Sequence, residues 1–363
     1  MTIISAQAIP VSLPFEIGGP RPKFAGIPRQ MDILLIRLET DQGLVGWGEA
    51  FGLAIWPATR QAFEHLVAPL VIGRDETDGV ALSESLQKQL HILGRGGAVT
   101  YALSGLDIAL WDLAGKAAGL PLSTLLGGAK HDSLPVYASL MRYGQTDLVA
   151  RNVEAALNKG FAAIKLHEVT TPMAQAAREV MGPTMDLMLD VNCPWREDQA
   201  LAMAQELKAC NLLWLEEPLW PPEDFTGLAR LRQQCGLALA AGENNISTEH
   251  FAQMLSAGAV DYAQPSVTKI GGVTEFMKIV RLATQHGTPV MPHSPYFGPG
   301  LLATLHMTAT FADETMIEYS YADLGASPLG PAVAQQGGRL RVPQGPGLGF
   351  DPDLDVVRQF RLP

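Results

Sequence analysis

Three acidic residues end three successive apolar stretches. Asp190 closes Met-Asp-Leu-Met-Leu-Asp, Glu216 closes Leu-Leu-Trp-Leu-Glu, and Glu243 closes Leu-Ala-Leu-Ala-Ala-Gly-Glu. The gaps of 26 and 27 residues each fit one strand and one helix. In a closed parallel barrel the C-terminal strand ends converge on one mouth, where active sites form. Three carboxylates brought together there repel one another unless a cation lies between them. Oxygen donors with no Cys or His among them point to Mg²⁺. A metal, a barrel and a reaction that develops negative charge are therefore expected.

Other residues extend this constellation. Lys165 and His167 lie two apart on one apolar stretch and so share a face. His293 ends Val-Met-Pro-His, and Glu318 lies in Met-Ile-Glu-Tyr. Groups placed on opposite sides of a metal suit abstraction of a proton α to a carboxylate. A base alone cannot remove so weakly acidic a proton at neutral pH. A divalent metal, Lys165 and a further acid can stabilise the enediolate as its charge develops. Glu318 can donate a hydrogen bond to that intermediate if its pKa is raised. Each residue also has a plainer reading: a single strand-end acid faces solvent or caps a helix, His293 is structural, and Lys165 forms an interior ion pair. Asn192 either supports the metal ligands from behind or shapes a turn. Glu217, next to Glu216, points to the opposite face and reads as structural. Cys193 reads as a small filler residue.

The elements that must carry these residues follow from the apolar periodicity. Residues 3–13, 31–40 and 44–49 read as antiparallel strands, and 104–119 as a helix ended by Gly119. Residues 18–29 are rich in Gly and Pro, basic, and too irregular for an element. They suit a mobile lid that carries cations, and equally a solvated surface loop. From residue 129 onward, strands are expected at 134–140, 162–167, 185–191, 212–217, 237–243, 260–265, 289–293 and 316–319, with helices filling most gaps. Eight such strands favour a closed barrel over an open sheet. The expected organisation is a cap over 1–128, a barrel over 129–320, and a Gly/Pro-rich segment, 321–363, that returns to the cap.

The net charge of −11 and the lack of a basic stripe argue against nucleic acid as a partner. No apolar run is long enough for a membrane helix, and no signal peptide is visible. Three cysteines without metal spacing fit a reduced, cytoplasmic setting.

Taken together, these segments resemble the enolase superfamily, and within it the mandelate racemase group of the mandelate racemase/muconate lactonizing enzyme family. The similarity runs over nearly the whole chain. It includes Gly46-Trp-Gly-Glu49, 103–113, Leu189-Asp-Val-Asn192, Trp214-Leu-Glu-Glu-Pro218, Ala241-Gly-Glu-Asn244, Gln264-Pro265, Lys269-Ile-Gly-Gly272, Pro292-His293 and Ile317-Glu318. It implies an α/β fold, a modified (β/α)8 TIM-like barrel under an N-terminal α+β capping domain. It also implies Mg²⁺ on Asp190, Glu216 and Glu243, a small carboxylate substrate, and a symmetric homo-oligomer.

Two departures bear on chemistry. The family's second strand usually reads Lys-x-Lys; here it reads Lys165-Leu-His167, so His167 takes the base position. The group pairs its seventh-strand His with a sixth-strand Asp, and here Ser266 stands in that place. His293 thus lacks the partner that orients it as a base, yet it can still serve as an acid. The resemblance implies a Lys at this position in muconate-lactonizing enzymes, acylamino-acid racemases and dipeptide epimerases, so Ser266 makes those activities less expected.

The leading expectation is dehydration of a sugar acid to a 2-keto-3-deoxy acid. His167 or Lys165 removes the α proton, and His293 protonates the leaving 3-hydroxyl. Lys269, Tyr296 and the lid cations Arg21, Lys23 and Arg29 are candidates to meet the substrate. The alternative is a racemase, epimerase or cycloisomerase; the aromatic residues Trp56, Trp195, Trp220, Tyr296 and Phe297 would favour its less polar substrates if they line the site. A metal-binding barrel without turnover is the remote third reading.

Overall fold

The computed structural model describes residues 1–24, 26–75 and 79–363. Ile3–Leu13 and Met31–Thr40 pair antiparallel, and Val45–Ala50 completes the sheet. The middle strand is apolar on both faces because it serves two cores. Met31, Ile33 and Leu35 join the barrel's core, while Leu34, Ile36 and Leu38 join the cap's own. Each such burial contributes roughly 2 kcal/mol. The 18–29 segment is less irregular than expected, since Lys23–Phe24 and Ile27–Pro28 form a short hairpin.

Helix Ala98–Ala118 lies directly on Val45–Ala50. The contact needs glycine: a Cβ on Gly48 would strike the Gly105 carbonyl. The helix starts six residues before its expected position. Its first turn carries β-branched Val99 and Thr100 and has no side-chain cap, so no start signal marks it.

Two buried carboxylates rivet cap to barrel. Asp107 accepts from the Thr274 amide (2.9 Å) and hydroxyl (2.7 Å), and Glu49 accepts from the Gly300 amide (2.8 Å). Burial pushes Asp107 up to about 6 and Glu49 up to about 7. A carboxyl raised on folding binds more protons folded than unfolded, so stability falls as pH rises through that interval. The metal-free protein should therefore melt a few degrees lower at pH 8 than at pH 5. Glu49→Gln should flatten that slope in a calorimetric scan, and a melting temperature that rises from pH 5 to pH 8 would contradict the assignment.

The barrel strands run parallel in sequence order. They are Ser133–Ser139, Ala163–Leu166, Asp186–Asp190, Trp214–Glu216, Leu239–Ala241 and Tyr262–Ala263, with Ile317–Ser320 returning beside the first. The expected seventh strand, 289–293, is reduced to one parallel bridge between Ala263 and Val290. Pro289 and Pro292 have no N–H to donate to a ladder. The seam to the eighth strand is closed instead by Ser294, whose amide meets Glu318 Oε2 and whose hydroxyl meets the Glu318 carbonyl, both at 3.1 Å. The barrel is therefore a modified one.

The C-terminal segment does more than return to the cap. Arg339–Arg341 first pairs antiparallel with the first barrel strand. Leu348 then donates to Asp112 at 2.7 Å, and Arg361 bridges Val11. Among the described residues no helix is long and apolar enough to cross a membrane. The three cysteines are free thiols.

Candidate active site

Period-two alternation builds the site in two layers. Tyr137, Ala163, Met188, Trp214 and Ala240 point inward and form an apolar plug. Two residues further along their strands stand Ser139, Lys165, Asp190 and Glu216, a polar ring above the plug. Ser139 pairs with Lys165 and Asp190 with Glu216, while Lys165 lies opposite Met188, so the ring steps by two residues between the second and third strands. Glu318 joins from the eighth strand, and Glu243 from just beyond the fifth.

Asp190, Glu216 and Glu243 each offer a carboxylate oxygen, all within 4.8 Å of one another. Asp190 Oδ1 accepts from the Asn192 amide (2.9 Å) and side chain (2.8 Å). The buried Oδ2 accepts no aligned hydrogen bond. Burial, offset only in part by Lys165, pushes Glu216 up to about 7. A convergent oxygen set with an orphaned buried acceptor and more negative charge than its one lysine offsets fits a hard divalent cation.

Lys165 is fully buried, with its ammonium 2.8 Å from Glu216, 2.8 Å from Glu318 and 3.7 Å from Asp190. Burial opposes its charge, but Glu216 and Glu318 outweigh burial and hold the pKa well above the ordinary lysine value. Glu318 departs from expectation. It accepts from Lys165, from the Ser139 hydroxyl (2.7 Å) and from the Ser294 amide (3.1 Å). Burial raises its pKa, yet Lys165 and His293 bring it below the ordinary value. Surrounded by donors, it is an ionised acceptor rather than a protonated donor.

The two histidines differ at Nδ1. His167 Nδ1 lies 2.6 Å from the Leu140 carbonyl, and its Nε2 lies 3.3 Å from Asp190 Oδ2. A carbonyl only accepts, so the network assigns the proton to Nδ1 and leaves Nε2 as the titrating atom. Burial alone would lower the His167 pKa, but Asp190 raises it above the ordinary value. His293 Nε2 lies 2.5 Å from Glu243 Oε2, while its Nδ1 lies 3.2 Å from the Ser266 hydroxyl, which bonds the Tyr296 phenol. A hydroxyl can donate, so a neutral His293 can keep its proton on Nε2. An aspartate in place of Ser266 would force that proton to Nδ1.

The remaining candidates separate. Lys269 is buried over the Phe51 ring and feels Glu217 and Glu243. Among the cations of the 18–29 segment, Arg21 is occupied by the Phe15 carbonyl (3.2 Å) and ring, and Lys23 is exposed in the hairpin. Arg29 instead enters the mouth: its Nε is buried without a partner, and it feels Glu318 and Glu243. Burial lowers its pKa against their pull. Glu217 does not simply face away. Its φ of 48° turns it back at the strand end, where both oxygens accept from Asn244 at 2.9 Å. Cys193 packs against Glu217, and burial pushes its thiol up. Tyr296 and Phe297 are buried in the barrel's core, and Trp56 and Trp195 pack against the cores. Trp220, the fifth, is exposed, so the case for a less polar substrate rests on that residue alone. Arg142 was missed: it bonds the His167 carbonyl (2.5 Å) and Asn192 (3.4 Å), joining two strand ends. Its own place just past the first strand was the available signal.

Comparison with known proteins agrees with this geometry. Residues 148–356 match the family described as enolase C-terminal domain-like, and residues 24–127 match the mandelate racemase / muconate lactonizing enzyme N-terminal domain. D-galactarolactone cycloisomerase of Agrobacterium fabrum is 32% identical over 352 residues, covering 91% of each chain. L-talarate/galactarate dehydratase of Salmonella typhimurium is 30% identical over 333 residues, covering 88% of this chain and 80% of its own. The crystal structure of a mandelate racemase/muconate lactonizing protein from Paracoccus denitrificans complexed with magnesium superposes with a TM-score of 0.89 at 27% identity, covering 99% of this chain and 97% of that one. The chain belongs to the mandelate racemase/muconate lactonizing enzyme family of the enolase superfamily.

Proposed function

We propose that this protein catalyses β-elimination across C2–C3 of a sugar acid, dehydrating it to a 2-keto-3-deoxy acid. The observation that carries this reading is the contrast at Nδ1: a carbonyl partner makes His167 a base at Nε2, and a hydroxyl partner lets His293 be an acid at Nε2. Mg²⁺, held by Asp190, Glu216 and Glu243, would act as a Lewis acid on the substrate carboxylate and offset the charge that develops there. His167 takes the C2 proton. The Lys165 ammonium, fixed by Glu216 and Glu318, holds a positive charge at the floor of the site. The His293 imidazolium gives its Nε2 proton to the oxygen leaving C3 and is left as the neutral ring. The C2–H and C3–O bonds break, C2=C3 forms, water departs, and the enol product tautomerises to the ketone. Arg29 supplies a cation for the distal end of the substrate.

A second reading is favoured by the cycloisomerase among the relatives. If the oxygen on C3 belongs to a ring, the same two proton transfers open the ring and release no water. The product is then an isomer of the substrate. Proton NMR of the Mg²⁺-loaded enzyme in D₂O, against a panel of open-chain sugar acids and their lactones and anhydrides, separates the two. Loss of the C2 proton with a new monodeuterated C3 signal from an open-chain acid supports dehydration. The same change from a cyclic substrate alone supports ring opening. Deuterium at C2 with the skeleton intact, and no elimination or ring-opened product from any member of the panel, would contradict both.

A further inference from the structure

Helix Pro299–Thr308 begins without a cap of its own. Its N-cap is Gly298, which has no side chain, and Pro299 has no N–H. The first amide of the buried helix end, that of Gly300, is satisfied from the other domain, by Glu49 Oε2 at 2.8 Å. The fit leaves no slack: a Cβ on Gly298 or Gly300 would come within 2.8 or 3.0 Å of that oxygen. The turn so held, 295–300, carries Tyr296, whose phenol bonds Ser266, which bonds His293 Nδ1. The same cap strand grips the other end of this chain of contacts, since the Phe51 amide donates to the Thr268 carbonyl at 3.3 Å, two residues from Ser266. Glu49 itself lies opposite Leu35 on strand Met31–Thr40.

We propose that Glu49 is a positioning residue: from the capping domain it sets the 295–300 turn and, through Tyr296 and Ser266, the orientation and proton placement of the His293 ring. Its kinetic consequence rests on the reading of His293 as the acid. Glu49 touches neither the metal ligands nor His167, so its loss should affect one histidine and not the other.

Ring-¹⁵N-labelled protein, loaded with Mg²⁺, tests this directly, because the chain has only eight histidines. Neutral His293 should show the Nε2–H signature in the wild type. Glu49→Ala should convert it to a mixture of tautomers while the His167 signals stay in place. In turnover, Glu49→Ala should lower the ratio of elimination to C2-proton exchange about tenfold or more. Glu49→Gln, which keeps an acceptor oxygen, should restore most of both. Should Glu49→Ala fail to fold, Glu49→Asp withdraws the carboxylate by one methylene and is read the same way. Unmoved His293 signals, or His293 and His167 moving together, would overturn the proposal. A wild type that turns over none of the acids would overturn the elimination reading alone, and the nitrogen signals would still decide the role of Glu49.

Discussion

His167→Asn should abolish exchange of the substrate's C2 proton, and product formation with it, by about 10²–10⁴-fold, the usual worth of a positioned general base. The Leu140 carbonyl pins Nδ1–H, so the only basic atom of the ring is Nε2, and that atom faces the carboxylate ring. Lys165 cannot take over, because Glu216 and Glu318 hold its proton in place from 2.8 Å. Burial works against charge on His167, yet Asp190 raises its pKa. A base must be neutral to act, so the rate should climb with pH as this proton is released, and the limb should vanish in the variant. Binding of Mg²⁺ should survive, since His167 is not among the three ligands. Exchange that persists in His167→Asn would remove it from the mechanism.

Glu216→Gln should weaken Mg²⁺ binding by at least about 100-fold, the upper end of what losing an outer partner costs a metal site. Glu216 is committed on both oxygens, Oε1 to Lys165 and Oε2 to the Trp214 indole N–H, each at 2.8 Å. An amide turned either way sets its NH₂ against one of these donors. The substitution thus removes a charge and also twists the remaining oxygen out of the ring. Calorimetric titration with Mg²⁺ reads the effect, and wild-type affinity in the variant would show that the metal sits elsewhere.

The legible parts of this site were those that follow from chain direction and period two. Strand-end placement alone brought out Asp190, Glu216 and Glu243, and alternation put Lys165 and His167 on one face. The seventh strand was overdrawn because two prolines inside an apolar run remove its ladder donors. The charge state of Glu318 was not legible because it depends on three donors, Lys165, Ser139 and Ser294, drawn from three different segments. Glu217 was misread because a positive φ at a strand end breaks the alternation that sequence reasoning assumes. The 18–29 segment was legible as basic, but which cation turns inward was not. Arg21 and Arg29 are alike in sequence and differ only in what lies beside them. The meaning of Ser266 also needed the fold. As a missing aspartate it signalled loss, whereas beside His293 Nδ1 it is a hydroxyl, able to donate as well as accept.

The division of labour between two histidines is the central claim, and His293→Asn in D₂O tests it most directly. With the sugar acid identified from the panel and saturating Mg²⁺, the C2 proton should exchange within severalfold of the wild-type rate, while elimination falls by about 10²-fold or more. Loss of exchange in His293→Asn together with its retention in His167→Asn would reverse the assignment of base and acid.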